Sequence, residues 1–220
     1  MYEDNPAGQG DAYADYGSAE TAEMPTFTDT LPDGREIVIY GDAEGDSAFN
    51  HQQGDNPYGV QGDCGLVSCQ DVLLQNGVSV TEAEVIEHAA ENGECVIDPN
   101  DPEMSGGTSP ESQAELLRDY GIDANAESGD TIDDLADNIQ SGKQVIIGVN
   151  AGILWNDAQY YENGQANHAI TVTAVVRDEQ TGQILGVVVN DSGDGQTKFV
   201  DAATLQAAWC DTGGQCVVAG

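Results

Sequence analysis

The sequence predicts an α+β fold in which N-terminal helices pack on an antiparallel β-sheet. After about residue 56, helix-capping patterns with a helical apolar period come first, and short apolar runs separated by turn residues follow them. Helices that precede the strands, rather than alternating with them, are typical of segregated layers. The chain has 220 residues with 39% apolar content, which is enough for one core of ordinary size. We therefore expect one folded domain over residues 56–220.

The segment before residue 56 has a different composition. Residues 1–55 are rich in Gly, Asp, Glu, Ala and Ser and poor in bulky apolar side chains, so burial cannot offset the entropy of ordering them. We predict a flexible acidic tail here. The exception is the run at 35–41, which follows the turn Pro32-Asp33-Gly34 and predicts a strand at the edge of the folded domain.

Helices are expected where a capping signal meets an apolar stripe. The first begins at Cys64 and ends before Gly77, a residue suited to a helix C-terminus. The second begins at a capping box formed by Thr81 and Glu84. The predicted helices are 64–76, 81–93, 108–121 and 131–142.

Strands are expected after residue 142, where the period of the apolar residues changes. The run from Asp178 to Gly182 has turn composition and predicts a hairpin between the two strands that flank it. A short helix led by Asp201 is expected to return Leu205 and Trp209 to the core. The predicted strands are 144–150, 168–176, 184–191 and 197–200.

The charge balance excludes several classes of partner. The chain has 5 Lys+Arg against 40 Asp+Glu, a formal net charge of -35. Nucleic acid and anionic membranes are therefore not expected as partners, and self-repulsion favours a soluble monomer. The sequence contains neither a long apolar run nor the positive start of a signal peptide. Because such a charge suits a salty exterior, we favour a secreted or extracellular location over a cytoplasmic one.

The cysteines are odd in number, so at least one thiol is outside any internal disulfide. We expect Cys64 to be that thiol. The remaining cysteines form two bridges, most simply Cys69 to Cys95 and Cys210 to Cys216, or they are all reduced. Two bridges would indicate an oxidising compartment. No pair of close Cys or His residues has the spacing of a zinc site, so no metal or other cofactor is expected.

A thiol at the start of one helix and an imidazole at the start of one strand predict nucleophilic catalysis. The positive end of the helix dipole stabilises a thiolate at Cys64, and His168 can hold the proton that the sulfur gives up. Asn190 or Asp191, at the end of the strand predicted beside that of His168, can orient the imidazole. Gln61 is a candidate donor to an oxyanion, alongside the Cys64 backbone N–H.

These residues resemble papain-like cysteine peptidases, in particular the bacteriocin-processing branch that cuts after double-glycine leaders. The resemblance rests on Gln61-Gly62-Asp63-Cys64-Gly65, Asn167-His168-Ala169 and Val189-Asn190-Asp191-Ser192-Gly193 in this order, with Gly106-Gly107-Thr108 before a middle helix. It covers roughly residues 56–210. It implies a papain-like fold with Cys64 as nucleophile, His168 as general base and acid, and Asp191 as the residue that orients His168.

The sequence departs from that family at two points. The oxyanion glutamine of the family stands six residues before the cysteine, where this chain has Tyr58, whereas Gln61 stands three before it. Either Gln61 acts through a different loop path, or backbone N–H groups act alone. The leader peptidases also sit at the N-terminus of a membrane exporter, and no transmembrane segment follows here. We therefore expect a free-standing secreted or delivered hydrolase, such as a toxin-like effector, with a protein or peptide substrate.

The expected reaction is hydrolysis of a peptide bond through a thioester at Cys64. A glutamine deamidase or a transglutaminase would use the same triad and differ only in leaving group and acceptor. A catalytically silent module that binds peptides is a third possibility, in which Cys64 is an inert buried thiol, His168 a structural residue and Asp191 an ordinary turn residue.

Overall fold

A computed structural model of the chain describes residues 24–220, and residues 1–23 lie outside the described part. The strands are β1 (Thr26–Thr30), β2 (Glu36–Gly41), β3 (Ala124–Glu127), β4 (Gln144–Val149), β5 (His168–Asp178), β6 (Ile184–Asp191), β7 (Gln196–Asp201) and β8 (Cys216–Ala219). The helices are α1 (Ala43–Asp46), α2 (Cys64–Gln75), α3 (Glu82–Asn92), α4 (Pro110–Asp119), α5 (Ile132–Gln140), α6 (Ala151–Leu154) and α7 (Ala202–Ala208). Short 3-10 turns lie at Ala158–Tyr160, Glu162–Gly164 and Cys210–Thr212.

The strands form one antiparallel sheet centred on the long strand β5. Along one path the order is β1-β2-β5-β4-β8-β3, and on its other side β5 pairs with β6, which in turn pairs with β7. The N-terminal half of β5 pairs with β4, and its C-terminal half pairs with β2. Strand β5 therefore fixes the relative positions of most of the sheet, including the strand that carries Asp191.

Both faces of the sheet are buried under helices. On β4, Ile146 packs in the cluster formed with α2, α3 and α4, whereas its neighbours Val145 and Ile147 pack in the cluster formed with α5 and α7. This alternation is the period of a strand with two buried faces. The fold class predicted from the sequence is confirmed: N-terminal helices pack on an antiparallel sheet, and later helices cover the opposite face.

The predicted helices and strands agree with the structure to within a few residues at their ends. Helix α3 begins at the predicted capping box, in which Thr81 and Glu84 bond to each other's backbone N–H groups. Asp201 caps α7 and Trp209 is completely buried. Strands β3 and β8 were not predicted from the sequence, because each has only four residues and they form a pair beside β4.

Of the flexible tail predicted for residues 1–55, residues 1–23 lie outside the described part, and residues 24–55 contain β1, β2 and α1. The strand predicted at 35–41 is β2, and it is not an edge strand, because β1 pairs outside it and β5 pairs inside it. Among residues 24–55, Ile37 is the one apolar side chain that is buried. Backbone pairing and polar contacts therefore hold a segment whose composition predicts disorder.

All five cysteines are free thiols in the structure. The bridges Cys69 to Cys95 and Cys210 to Cys216 are thus absent, and the reduced alternative is the one that the structure shows. Among residues 24–220, no helix combines the length and the apolar character that crossing a bilayer requires.

Candidate active site

The candidate nucleophile Cys64 is the first residue of α2. Asp63 is the N-cap, and its backbone carbonyl accepts the N–H groups of Leu66 and Val67. The first N–H groups of a helix have no partner within the helix, and the positive end of its dipole favours an anion there. Cys64 is partly exposed, so its sulfur occupies a position that a substrate can reach.

Gly65 allows the start of α2 to approach the start of α4 closely. A Cβ atom at this position would overlap the Thr108 hydroxyl and the Gln113 side-chain amide. Those two groups are hydrogen-bonded to each other at 3.1 Å, and Gln113 is buried. Gly65 is therefore required by packing rather than by its own backbone conformation.

His168 is the first residue of β5, where pairing with Val149 of β4 fixes its position. On the other side of β5, Thr171 lies opposite Asn190, so the next residue on β6, Asp191, lies near the start of β5. The distance from His168 Nε2 to Asp191 Oδ1 is 2.7 Å, and both side chains are buried. The sheet register thus brings together two of the residues that the sequence suggested.

The imidazole of His168 also acts on the Cys64 thiol, whose pKa it lowers, and the two residues line the same cleft. Because Nε2 is bound to Asp191, Nδ1 is the ring nitrogen left for the sulfur. Burial raises the pKa of the Cys64 thiol, but the hydrogen bond and charge of His168, together with backbone N–H groups, outweigh burial and bring this pKa below its usual value. Burial lowers the pKa of His168, while hydrogen bonds with Asp191 and Cys64 raise it to about 9. These opposite shifts favour a thiolate–imidazolium pair.

Asp191 is completely buried and receives several donors besides His168. Trp155 Nε1 donates to Oδ2 at 2.7 Å, the Gly193 N–H donates to Oδ1 at 2.9 Å, and Lys198 Nζ lies 2.8 Å from Oδ2. The Trp155 ring also packs against the imidazole, with 5.1 Å between ring centroids. Burial raises the pKa of Asp191, but its bonds to His168, Lys198 and Trp155 hold it well below the usual range, so the carboxyl group is ionised.

Asn190, the alternative partner of His168, faces the other side of the sheet. Its amide nitrogen donates to Asp71 Oδ2 at 3.2 Å and to the Asp46 carbonyl at 3.0 Å, and its oxygen accepts from Thr197 Oγ1 at 2.7 Å. Successive residues of a strand point to opposite faces, so only one of the two can face the imidazole. That residue is Asp191.

Cys64 and His168 line an open cleft of about 690 Å³ between the helices and the sheet. A smaller pocket of about 210 Å³ extends from the same two residues toward Gln113 and Cys216. The side chains that form the walls of the larger cleft include Gln61, Glu103, Met104, Trp155, Tyr160 and Glu162.

A comparison with solved structures identifies the fold. A putative C39-like peptidase from Bacillus anthracis is similar over 79% of this chain and 95% of its own, with a TM-score of 0.56 and 18% identity. The chain has the fold of a papain-like, C39-like peptidase. The resemblance predicted from the sequence is thus confirmed for the fold.

A double-glycine motif protease from an AMS/PCAT transporter, solved in complex with its leader peptide, is similar over 72% of this chain and 84% of its own, with a TM-score of 0.46 and 16% identity. No family model matches the sequence, and no curated protein matches it either.

Within this papain-like fold, the region of the oxyanion glutamine is built differently. The hydroxyl group of Tyr58 donates to Glu87 on α3. Gln61 is exposed and lines the cleft, but its side-chain amide lies over Gly54, and its backbone carbonyl accepts from Gln53 Nε2 at 2.6 Å. Because Tyr58 and Gln61 make these other contacts, the backbone N–H groups at the start of α2 are the candidate oxyanion donors next to Cys64 in the sequence.

Cys64 is the only cysteine whose pKa is lowered. Burial raises the pKa of Cys69, Cys95, Cys210 and Cys216. Of these, Cys216 donates to Asp130 Oδ2 at 3.0 Å. Within residues 24–220 one group of side chains has a spacing that can hold a metal ion, and its ligand atoms lie within 4.8 Å of one another; its members are Glu127, Asp130 and Cys216.

The contacts of Trp155 and Lys198 with Asp191 were not predicted from the sequence. One signal was present: Lys198 is one of only five basic residues, and it lies on the strand expected after that of Asp191. In a chain with 40 acids, a cation retained on such a strand indicates a specific carboxylate partner.

Proposed function

We propose that the protein is a cysteine peptidase that uses Cys64 as nucleophile, His168 as general base and acid, and Asp191 as the orienting carboxylate. The observation that carries the proposal is the position of His168, whose Nε2 lies 2.7 Å from Asp191 Oδ1 and which shares a cleft with Cys64, the thiol whose pKa it lowers. A thiol without a reaction to perform gains nothing from a neighbouring buried, ionised His–Asp pair, which is costly to form.

In the acylation half of the reaction, the Cys64 thiolate attacks the carbonyl carbon of the scissile peptide bond. The electron pair of the C=O bond moves to oxygen, and the N–H groups at the start of α2 stabilise the oxyanion. The tetrahedral intermediate then collapses, the C–N bond breaks, and the His168 imidazolium gives its proton to the leaving amine. The product is a thioester on Cys64 with a neutral imidazole beside it.

In the deacylation half, His168 removes a proton from water, and the resulting hydroxide attacks the thioester carbonyl. The C–S bond breaks, the acid product leaves, and the thiolate–imidazolium pair forms again. Asp191 holds the ring in one orientation through both halves and stabilises its charged form.

The open cleft of about 690 Å³ that Cys64 and His168 line supports a protein or peptide substrate. Its lining includes Glu103 and Glu162 but neither Lys nor Arg. We propose that cationic peptides are preferred, in keeping with the net charge of -35. The toxin-like, secreted role stays an expectation from the sequence.

The test is incubation of the protein and its Cys64→Ser variant with a mixture of unfolded proteins and a peptide library, followed by mass spectrometry. Hydrolysis yields new chain ends that carry one added water, and the variant yields none. If the chains stay intact but glutamine residues gain about one mass unit, the reaction is deamidation, and a cross-link with loss of ammonia would indicate transglutamination. If wild type and variant give the same products, the peptidase proposal is wrong.

A further inference from the structure

Lys198 occupies a position that the peptidase mechanism above does not use. It lies on β7 opposite Val189, so it is on the same face as Asp191 and diagonal to it. Its ammonium group lies 2.8 Å from Asp191 Oδ2 and 2.7 Å from Asp194 Oδ2. The two oxygens of the buried Asp191 carboxylate are therefore divided, with His168 on one and Lys198 on the other.

We propose that Lys198 is a positioning residue whose ammonium group fixes the Asp191 carboxylate and takes up part of its charge, which leaves His168 able to release its proton to the leaving group. This inference rests on the peptidase proposal for the role of the proton, but the arrangement of charges can be tested without a substrate.

The physical argument concerns a buried carboxylate shared by two cations. If His168 were the only cation beside Asp191, the ion pair would hold the imidazole proton in a site of low dielectric constant, and a general acid must lose that proton in each turnover. A second positive charge on the other oxygen weakens this attraction. It also keeps Asp191 ionised when His168 is neutral, because the carboxylate still has a charged partner.

The surroundings of Lys198 leave its charge directed at Asp191. The other carboxylate in contact with it, Asp194, is considerably exposed, so solvent screens that pair. Asp201 lines the same hollow as Lys198, but its oxygens accept from the N–H groups of Ala203 and Thr204 and from the Thr204 hydroxyl at the start of α7.

The charged groups that face His168 are Asp191 on β6 and Cys64 on α2. Lys198, Asp191 and His168 thus follow one another in direct contact, and His168 shares its cleft with Cys64. A charge removed at the Lys198 end acts on His168 first and on Cys64 second.

The experiment is the pH dependence of Cys64 alkylation by iodoacetamide, followed by mass spectrometry of the peptide that contains Cys64. The rate profile reports two macroscopic ionisations of the Cys64–His168 pair. Removal of a positive charge favours proton binding at the Cys64–His168 pair. Lys198→Met is therefore expected to raise both apparent pKa values of the pair, and to raise the upper value more. A unit charge one carboxylate away from an imidazole changes its pKa by about one unit, which is the upward shift expected for the upper ionisation.

Two further variants make the result specific. Lys198→Arg keeps the charge and is expected to restore the wild-type profile to within about 0.3 pH unit. Lys143→Met makes the same change of net charge at the far end of β4, about 20 Å along the strand from the residue paired with His168, and is expected to leave the profile unchanged.

A merely structural role for Lys198 would reduce stability without moving the ionisations. An unshifted profile in a folded Lys198→Met protein therefore overturns the inference, as does an equal shift in Lys143→Met. Failure of the peptidase proposal has a different signature, namely a wild-type protein that cuts no chain while its Cys64 still shows the shifted profile in Lys198→Met.

Discussion

His168 Nε2 lies 2.7 Å from Asp191 Oδ1, and the two residues lie on β5 and β6, adjacent antiparallel strands that pair between Thr171 and Arg177 of β5. Both residues lie on paired strands of the sheet rather than in loops. The sheet therefore sets the position of the imidazole relative to the Asp191 carboxylate.

Replacement of Asp191 by Asn keeps an oxygen acceptor for the imidazole but removes the negative charge. Asp191 and Cys64 together raise the pKa of His168 to about 9, so without the charge of Asp191 this pKa falls toward its ordinary value. We expect the basic limb of the kcat/KM profile to move to lower pH and kcat to fall about 10- to 100-fold. The measurement is the pH–rate profile on a peptide that wild type cuts. Asp194→Asn is the control, and a basic limb that moves as far there as in Asp191→Asn would contradict the assignment.

Trp155 has two contacts at the site that can be separated by substitution. Trp155→Phe removes the N–H donor to Asp191 but keeps an aromatic ring beside His168, whereas Trp155→Ala removes both. Loss of one hydrogen bond to a buried charge costs about 1.5–3 kcal/mol. We expect Trp155→Phe to lower the free energy of unfolding by that amount, and Trp155→Ala to lower kcat further because water then reaches the imidazole. Urea denaturation and steady-state rates check this, and an alanine variant as active as the phenylalanine one would contradict it.

Three acids whose pKa values are raised in the folded state make the stability of the protein depend on pH. Burial raises the pKa of Asp63 to about 8, of Asp46 to about 7 and of Asp71 to about 6. Their unfolded values are near 4, so between pH 4 and pH 8 the folded state binds more protons than the unfolded state, and stability falls as pH rises. His51 acts in the same direction, because its hydrogen bond to Glu82 raises its pKa and the stability it adds below about pH 6.5 is lost as pH rises through the folded value.

We therefore expect the free energy of unfolding to be higher at pH 5 than at pH 8, by about 1.4 kcal/mol for each pH unit over which one of these acids is protonated only in the folded state. Asp63→Asn should make this difference smaller, because it removes the acid with the largest shift. Asp55→Asn, which changes an exposed acid by the same chemistry, should leave it unchanged. Urea titrations at the two pH values measure the difference, and stability that rises with pH would contradict the prediction.

Salt should slow the cleavage of cationic peptides. Glu103 and Glu162 line the cleft, and the chain carries a formal charge of -35, so Lys/Arg-rich peptides are attracted to the site at low ionic strength. We expect kcat/KM for such a peptide to fall about tenfold between about 0.05 and 0.5 M salt, and the double variant Glu103→Gln, Glu162→Gln to weaken this dependence. An unfolding curve at each salt concentration controls for the fold. A flat salt dependence in wild type would contradict the preference.

The residues that could be predicted from the sequence are those with a local signal. Cys64 begins a helix and His168 begins a strand, so each could be recognised from its immediate neighbours. Asp191 could be placed by the hairpin between β5 and β6, although Asn190 stayed open until the strand's faces were known.

The remaining parts depend on contacts that no local pattern records. Lys198 and Trp155 both contact the Asp191 carboxylate, because β7 and the C-terminal end of α6 lie beside the end of β6. Specific polar contacts hold residues 24–55, such as His51 with Glu82 at 2.8 Å and Gln53 with Ser192 at 3.1 Å. Composition does not reveal such contacts, so it predicted disorder where the chain is bound to the domain.

The measurement that tests the central claim most directly is the rate of Cys64 alkylation by iodoacetamide at pH 6, in wild type and in His168→Ala. A thiolate stabilised by a helix start and an imidazolium reacts fast at this pH, and an ordinary thiol with a pKa of about 8.5 is almost entirely protonated. We predict rapid labelling of Cys64 alone among the cysteines, and a rate at least about tenfold lower in His168→Ala. Slow labelling of wild type at a rate that the substitution leaves unchanged would contradict the account.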